Sequence, residues 1–174
     1  MPSPDLYVFS GLPGTGKSTL ARRLAQHRRA AYLRVDTVEA ALLNAGHLEV
    51  TVEGYAVAYA LAEDHLLLGL SVVADCVNPL AVTREAWADV ARRAESRLVN
   101  IEVVCLDVEE HRQRVEDRRA DSGQHVGQWS PPDWNGIQKS AREYEPWATH
   151  RRVLDTAGGT APQNFAELLN LLEE

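Results

Sequence analysis

The segment Gly11-Leu12-Pro13-Gly14-Thr15-Gly16-Lys17-Ser18-Thr19 follows the pattern G-x-x-x-x-G-K-[ST], and the chemistry of that pattern is to hold a phosphate chain. Glycines let successive backbone N–H groups turn inward around an anion, and a helix starting behind them points its positive end the same way. Lys17 is long enough to reach the outer phosphates, and the Ser18 hydroxyl is a hard oxygen suited to Mg²⁺. Gly11, Pro13, Gly14, Thr15, Gly16, Lys17, Ser18 and Thr19 are therefore candidate nucleotide-binding residues. The alternative is a glycine-rich turn without a ligand. The flanks speak against it: Leu6 to Ser10 is short, apolar and β-prone, and Leu20 to Gln26 carries apolar residues at helical spacing.

Four acids stand at or just beyond the ends of apolar strand patterns: Asp36, Asp75, Asp107 and Asp155. In an open parallel sheet ligands lie outside the carboxyl ends of the strands, so these positions matter. Asp36 suits a general base taking a proton from a hydroxyl that attacks a γ-phosphate. It equally suits an N-cap that accepts from the amides of Val38 and Glu39. Asp75, after Val72-Val73-Ala74, suits an acid that organises Mg²⁺ directly or through water, or else a cap or turn residue.

Arg114 and Arg118 are four apart, so one helical face presents both, as a phosphate clamp would. The plainer reading is a solvated helix with Glu110–Arg114 and Glu116–Arg119 pairs. Arg84 is close enough to the strand ends to meet a substrate anion, or it lies on the surface. Trp129, Trp134, Tyr144 and Trp147 could line an acceptor pocket or pin a lid, though packing alone would explain Tyr144 and Trp147. The histidines show no metal-ligand spacing, and Cys76 and Cys105 sit in apolar runs without a C-x-x-C.

Strand and helix patterns must position these groups, and they alternate along the chain as in a parallel α/β sheet. Strands are expected at Leu6 to Ser10, Ala31 to Val35, Leu70 to Ala74, Ile101 to Leu106 and Arg152 to Leu154. Helices are expected after the glycine loop and over Thr37 to Asn44, Val52 to Leu68, from Pro79, Glu109 to Arg119, Ile137 to Trp147 and Phe165 to Leu172. Between Asp121 and Gly136 lie three glycines, two adjacent prolines and two tryptophans without a period. A loop that long in a compact domain is functional or disordered, and its two tryptophans argue against simple disorder.

With 174 residues the chain is read as one domain spanning 1–174. Its 45% hydrophobic and 25% charged composition is that of a globular protein. A net charge of −7 weighs against broad binding to nucleic acid, while leaving room for a local basic patch. No leader or membrane span is visible, and the cysteine usage suits a reducing compartment, so the expectation is cytoplasmic.

The glycine loop, Asp36 within Val35-Asp36-Thr37-Val38-Glu39-Ala40, the Arg114/Arg118 pair and the short length together resemble small P-loop kinases. More narrowly, the chain is similar to the branch that holds chloramphenicol phosphotransferase, zeta toxins and kinase-like "AAA family ATPase" proteins. The resemblance implies an α/β P-loop NTPase fold of the nucleoside-monophosphate-kinase type. That fold has five parallel strands between helices, the glycine-loop strand in the middle and a lid, here about residues 120–136. It implies ATP and Mg²⁺, with Lys17 and Ser18 on the phosphates and the metal and Asp36 as catalytic base. Arg114 and Arg118 would be the lid arginines, one near the base and one on phosphate. Thr156 and Gly158, in Asp155-Thr156-Ala157-Gly158, match a loop that packs against adenine.

There is no N-K-x-D guanine signature and too little chain for a sensor-bearing motor domain. The acceptor region, Gly46 to Gly69, matches no one substrate class. The expected function is transfer of the γ-phosphate of ATP to a hydroxyl of a small molecule, with Asp75 on the metal and Asp36 and Arg84 toward the acceptor. The alternatives are a polynucleotide 5′-hydroxyl kinase and a non-catalytic ATP-binding regulator. The oligomeric state is left open.

Overall fold

Five strands, all parallel, make one sheet: β1 (Asp5–Ser10), β2 (Ala31–Arg34), β3 (Val72–Asp75), β4 (Arg97–Val104) and β5 (Arg152–Asp155), in the order β2-β3-β1-β4-β5. This computed structural model describes residues 3–125, 127 and 129–173. Parallel neighbours need crossovers, and helices supply them. The helices are α1 (Lys17–Arg28), α2 (Val35–Asn44), α3 (Glu53–Leu67), α4 (Ala81–Arg93), α5 (Val108–Ala120), α6 (Trp134–Glu143) and α7 (Ala161–Glu173).

A central strand of such a sheet is covered on both faces, so it needs an unbroken apolar run. In β1, Leu6, Val8 and Phe9 are fully buried, and Tyr7 nearly so. One face packs Leu6, Val8, Val72 and Ala74 against Ala58, Ala62 and Leu66 of α3 and Trp87 and Val90 of α4. The other packs Phe9, Val73, Ile101, Val103 and Leu154 against Leu20 and Leu24 of α1 and Leu168 of α7. Each buried Val, Leu, Ile or Phe side chain contributes roughly 1.5–3 kcal/mol, which makes the sheet a firm platform for whatever stands at its carboxyl edge.

Several boundaries differ from the sequence reading. β2 stops at Arg34, and Val35 and Asp36 already belong to α2. β4 starts at Arg97, four residues earlier than expected, where β1 pairs Asp5 with Arg97 in register and their side chains form an ion pair. α6 starts at Trp134 because Asp133 caps it, its carboxylate accepting from the Gly136 amide at 2.8 Å. It ends at Glu143, ahead of Pro146, whose ring pushes the preceding residue out of helical geometry. α7 begins at Ala161, since a proline is tolerated in a first turn and Pro162 no longer interrupts anything. Within the expected lid, Ser122–Gln124 form one 3₁₀ turn, opened by Asp121 accepting from the Gly123 amide. Val126 and Gln128 of that lid lie outside the described residues.

Candidate functional site

The glycine loop joins the end of β1 to the start of α1, and its neighbours dictate its glycines. At Gly11 a Cβ would stand 2.2 Å from the Val103 carbonyl oxygen of β4. Gly14 and Gly16 have φ of 87° and 89°, the left-handed region that glycine enters freely. Behind the loop, His111 of α5 is buried, and its Nε2 lies 2.9 Å from the Pro13 carbonyl oxygen. A carbonyl can only accept, so that nitrogen carries the hydrogen. Thr15 Oγ1 donates to the Leu12 carbonyl at 2.9 Å, closing the turn on itself. Pro13 and Thr15 thus shape the loop from outside, while Gly14, Gly16, Lys17, Ser18 and Thr19 line a cavity of about 330 Å³.

That cavity is lined by Lys17, Arg22, Arg34, Arg114 and Arg118, and by no carboxylate among the described residues. Five cations round a glycine loop select a polyanion.

Asp75, the last residue of β3, is 1% exposed and lies directly behind the cations. Its Oδ1 accepts from Lys17 Nζ at 3.0 Å and its Oδ2 from the Tyr32 hydroxyl at 2.7 Å. Burial pulls its carboxyl upward, but the Lys17 charge and the donors Ser18, Tyr32 and Lys17 outweigh it, and the net direction is down. The Tyr32 hydroxyl is pushed up, by burial first and then by the Asp75 charge. Mg²⁺ takes one or two protein oxygens and completes its shell with phosphate and water, so Ser18 and Asp75 fit it.

Asp36 sits in the first turn of α2, and the cap position belongs to Arg34, without a side-chain capping bond. The capping alternative for Asp36 therefore does not hold. Its Oδ2 instead accepts from Arg34 Nη2 at 2.9 Å and lies 3.8 Å from Arg118 Nη2. Arg118 is itself held below its ordinary range, by burial first and by the neighbouring Arg34 and Arg22 charges, against the pull of Asp36. The ring centroid of Trp129 lies 5.9 Å from each of the Arg34 and Arg118 guanidinium carbons, within cation–π reach. The backbone at Gly127 also touches the end of α2: a Cβ there would meet Asn44 Oδ1 at 2.1 Å.

Arg114 stands on the other side of the cavity. Its Nη1 donates to Thr156 Oγ1 at 2.8 Å and its Nη2 to the Thr156 carbonyl at 2.9 Å, and it is ion-paired with Glu110. The expected Glu110–Arg114 pair is thus present, while Glu116 pairs with Arg112 and Arg119 with Asp133. Thr156 is buried, its hydroxyl 2.7 Å from the Thr15 carbonyl, so it ties the loop after β5 to the glycine loop. The Gly158 amide is taken by Glu110 at 2.8 Å, and Gly159 and Asn164 line the cavity instead.

Arg84 departs from its expected role. It is 6% exposed, and its guanidinium donates to the carbonyls of Asn78, Pro79, Glu145 and Pro146 at 2.8–3.1 Å. Its Cζ lies 4.2 Å from the Trp147 ring centroid and 5.0 Å from that of Tyr144. It fastens the segment after α6 to the start of α4 and is not among the cavity-lining residues.

Tyr32, Arg34, Arg22 and Glu39 were not anticipated as site residues. Tyr32 and Arg34 alternate along β2 and so share a face, a period-2 signal legible in Ala31-Tyr32-Leu33-Arg34. Glu39, one helical turn beyond Asp36, has its carboxyl pushed up to about 7 by burial and by the Asp36 charge. A Cβ on Gly54 would stand 2.6 Å from its Cγ, so α3 packs tightly on it.

Residues 6–128 match the family described as AAA domain. The chain belongs to the AAA domain family. Solved structures share the fold of this AAA domain protein over nearly the whole chain. A provisionally assigned kinase of Chloroflexus aurantiacus j-10-fl superposes with a TM-score of 0.75 at 18% identity, covering 98% of this chain and 97% of that one. The APS kinase CysC of Mycobacterium tuberculosis, in complex with AMPPNP and APS, gives 0.70 at 20% identity and full coverage of both chains. A gluconokinase of Sinorhizobium meliloti 1021 gives 0.69 at 16% identity, covering 99% and 94%. No curated protein matches the sequence significantly. At these identities the likeness speaks for the fold, which is that of the P-loop kinases. Among the described residues no helix is long and apolar enough to cross a membrane.

Proposed function

We propose that this AAA domain protein is an ATP-dependent phosphotransferase that moves the γ-phosphoryl group to a hydroxyl of a small molecule. The observation that carries the proposal is the cavity of five cations around the glycine loop with Asp36 beside it, reached by Arg34 and Arg118. Lys17 and the loop amides bind the phosphate chain, and Arg114 and Arg118 neutralise charge that spreads over the phosphoryl group in transfer. Ser18 and Asp75 would hold Mg²⁺, which would supply further charge neutralisation. Asp36 accepts the acceptor's hydroxyl proton while the new oxygen–phosphorus bond forms and the bond from the γ-phosphorus to ADP breaks. The kinase neighbours in fold support this reading, and the Asp36, Arg114 and Arg118 pattern supports the chloramphenicol phosphotransferase and zeta toxin branch. The free, buried Cys76 and Cys105 suit a reducing cytoplasm.

The test is labelled ATP offered to a panel of sugars, nucleosides, antibiotics and 5′-hydroxyl RNA and DNA ends, with Lys17→Ala as control. Transfer to a small hydroxyl compound is expected. Asp36→Asn should lower that transfer by about 10²–10⁴-fold with ATP affinity nearly kept. Transfer to nucleic-acid ends alone makes the protein a polynucleotide kinase. ATP binding without transfer to any acceptor makes it a nucleotide-binding regulator.

A further inference from the structure

Arg34 stands between the two carboxylates on which the proposed reaction depends. As the last residue of β2 it is paired in register with Asp75 in the parallel ladder, which fixes its Cα beside the metal-organising acid. Its side chain is 16% exposed and lines the cavity with Lys17 and Ser18. Nη2 donates to Asp36 at 2.9 Å, whereas Nε lies 3.8 Å from Asp75 Oδ2, outside hydrogen-bond distance. That Nε is buried and makes no hydrogen bond. Leaving a buried guanidinium donor unused is costly, and such exceptions call for a reason.

The path of the phosphoryl group supplies one. It leaves the side held by Lys17, Ser18 and Asp75 and arrives at the hydroxyl activated by Asp36, so it passes the fork of Arg34. We infer that Arg34 is a catalytic residue that binds the phosphoryl group in flight, releasing Asp36 as it does so. The inference rests on the phosphotransferase reading above.

The charges move in a consistent sense. Before transfer, Asp36 is anionic and holds Nη2. As the hydroxyl proton reaches Asp36, that carboxylate becomes neutral and its attraction for the guanidinium falls. At the same moment negative charge spreads over the three equatorial oxygens of the phosphoryl group, which a planar fork matches better than an ammonium does. The guanidinium has only to trade one oxygen partner for another. Trp129, in cation–π range of Arg34 and Arg118, gives both guanidinium groups an apolar neighbour beside this exchange.

The test needs no knowledge of the acceptor. Binding of Mg–ADP and of Mg–ADP with aluminium fluoride, a planar stand-in for the phosphoryl group, is measured by calorimetry for the wild type, Arg34→Ala and Arg34→Lys. The wild type should bind the fluoride complex more tightly than ADP alone. Arg34→Ala should weaken both ligands, and the loss for the fluoride complex should exceed the loss for ADP by about ten- to hundredfold, the worth of a charged hydrogen bond. Arg34→Lys keeps the charge and the stem but not the fork. It covers the case of an unfolded alanine variant, and it should lose most of the same increment.

Undiminished fluoride affinity in a folded Arg34 variant overturns the inference and leaves the phosphotransferase reading standing. Equal losses for both ligands overturn it in favour of a structural role. A wild type that gains nothing from fluoride overturns it as well. A wild type that does not bind ADP removes the phosphotransferase reading itself.

Discussion

Gly11 shows how a single residue is fixed by its surroundings. Its φ of 139° and the Val103 carbonyl leave no room for a Cβ, and that carbonyl belongs to a strand that cannot move without disturbing the sheet. Gly11→Ala should cost about 2–4 kcal/mol in urea unfolding and weaken nucleotide binding with it. Glu39 makes a different residue-scale prediction. Folding raises its carboxyl from the ordinary 4.5 to about 7, so the native state binds this proton more tightly than the unfolded chain. Its contribution to stability is therefore fully present below about pH 4.5 and is lost as pH rises through 7. Glu39→Gln should flatten that part of the dependence of the melting temperature on pH, and an unchanged slope would remove Glu39 as its source.

At the scale of elements, α5 does most to assemble the site. His111, Arg114, Val115 and Arg118 recur at helical spacing and turn toward the glycine loop, while Arg112 and Arg119 pair outward. His111 also meets Trp134, the first residue of α6, edge-on with ring centroids 5.3 Å apart, so the support of the glycine loop continues into α6. Arg84 makes most of the hydrogen bonds that join α4 to the segment after α6, beside the Glu145 amide on the Pro79 carbonyl and the Ala81 amide on the Glu145 carboxylate. Arg84→Ala would take the guanidinium from the carbonyls of Asn78, Glu145 and Pro146 and remove one of the two arginines that face the Trp147 ring. A loss of about 2–4 kcal/mol is expected in denaturant unfolding, with nucleotide affinity unchanged. Weakened nucleotide binding at unchanged stability would instead return Arg84 to the substrate side.

For the whole molecule, the five cations that line the cavity share three carboxylates, Asp75, Asp36 and Glu110, so a polyanion that binds the folded cavity and not the unfolded chain should stabilise the fold as well as occupy it. At a concentration about 100 times its dissociation constant, Mg–ATP should raise the melting temperature by about 5–10 °C for a domain of this size. Lys17→Ala should lose most of that shift in the same scanning experiment. A wild type that melts at the same temperature with and without Mg–ATP would deny that the cavity holds a triphosphate.

The sequence by itself determined the glycine loop, the alternation of strands and helices and the acids at the strand ends, because each is a local pattern in spacing or period. It also placed Arg114 and Arg118 on one face, since four residues bring a helix nearly round to the same side. What it left undecided were partners distant along the chain. Lys17 meets Asp75 across 58 residues, and Arg114 meets Thr156 across 42. Arg84 looked equally suited to a ligand or the surface until the segment 144–147 folded over it. Asp36 looked equally suited to capping or catalysis until β2 ended at Arg34 rather than Val35 and turned its carboxylate to two arginines. Only tertiary structure decides such choices, because the sheet order sets which strand ends become neighbours, and a charged side chain takes its role from the charges it meets there.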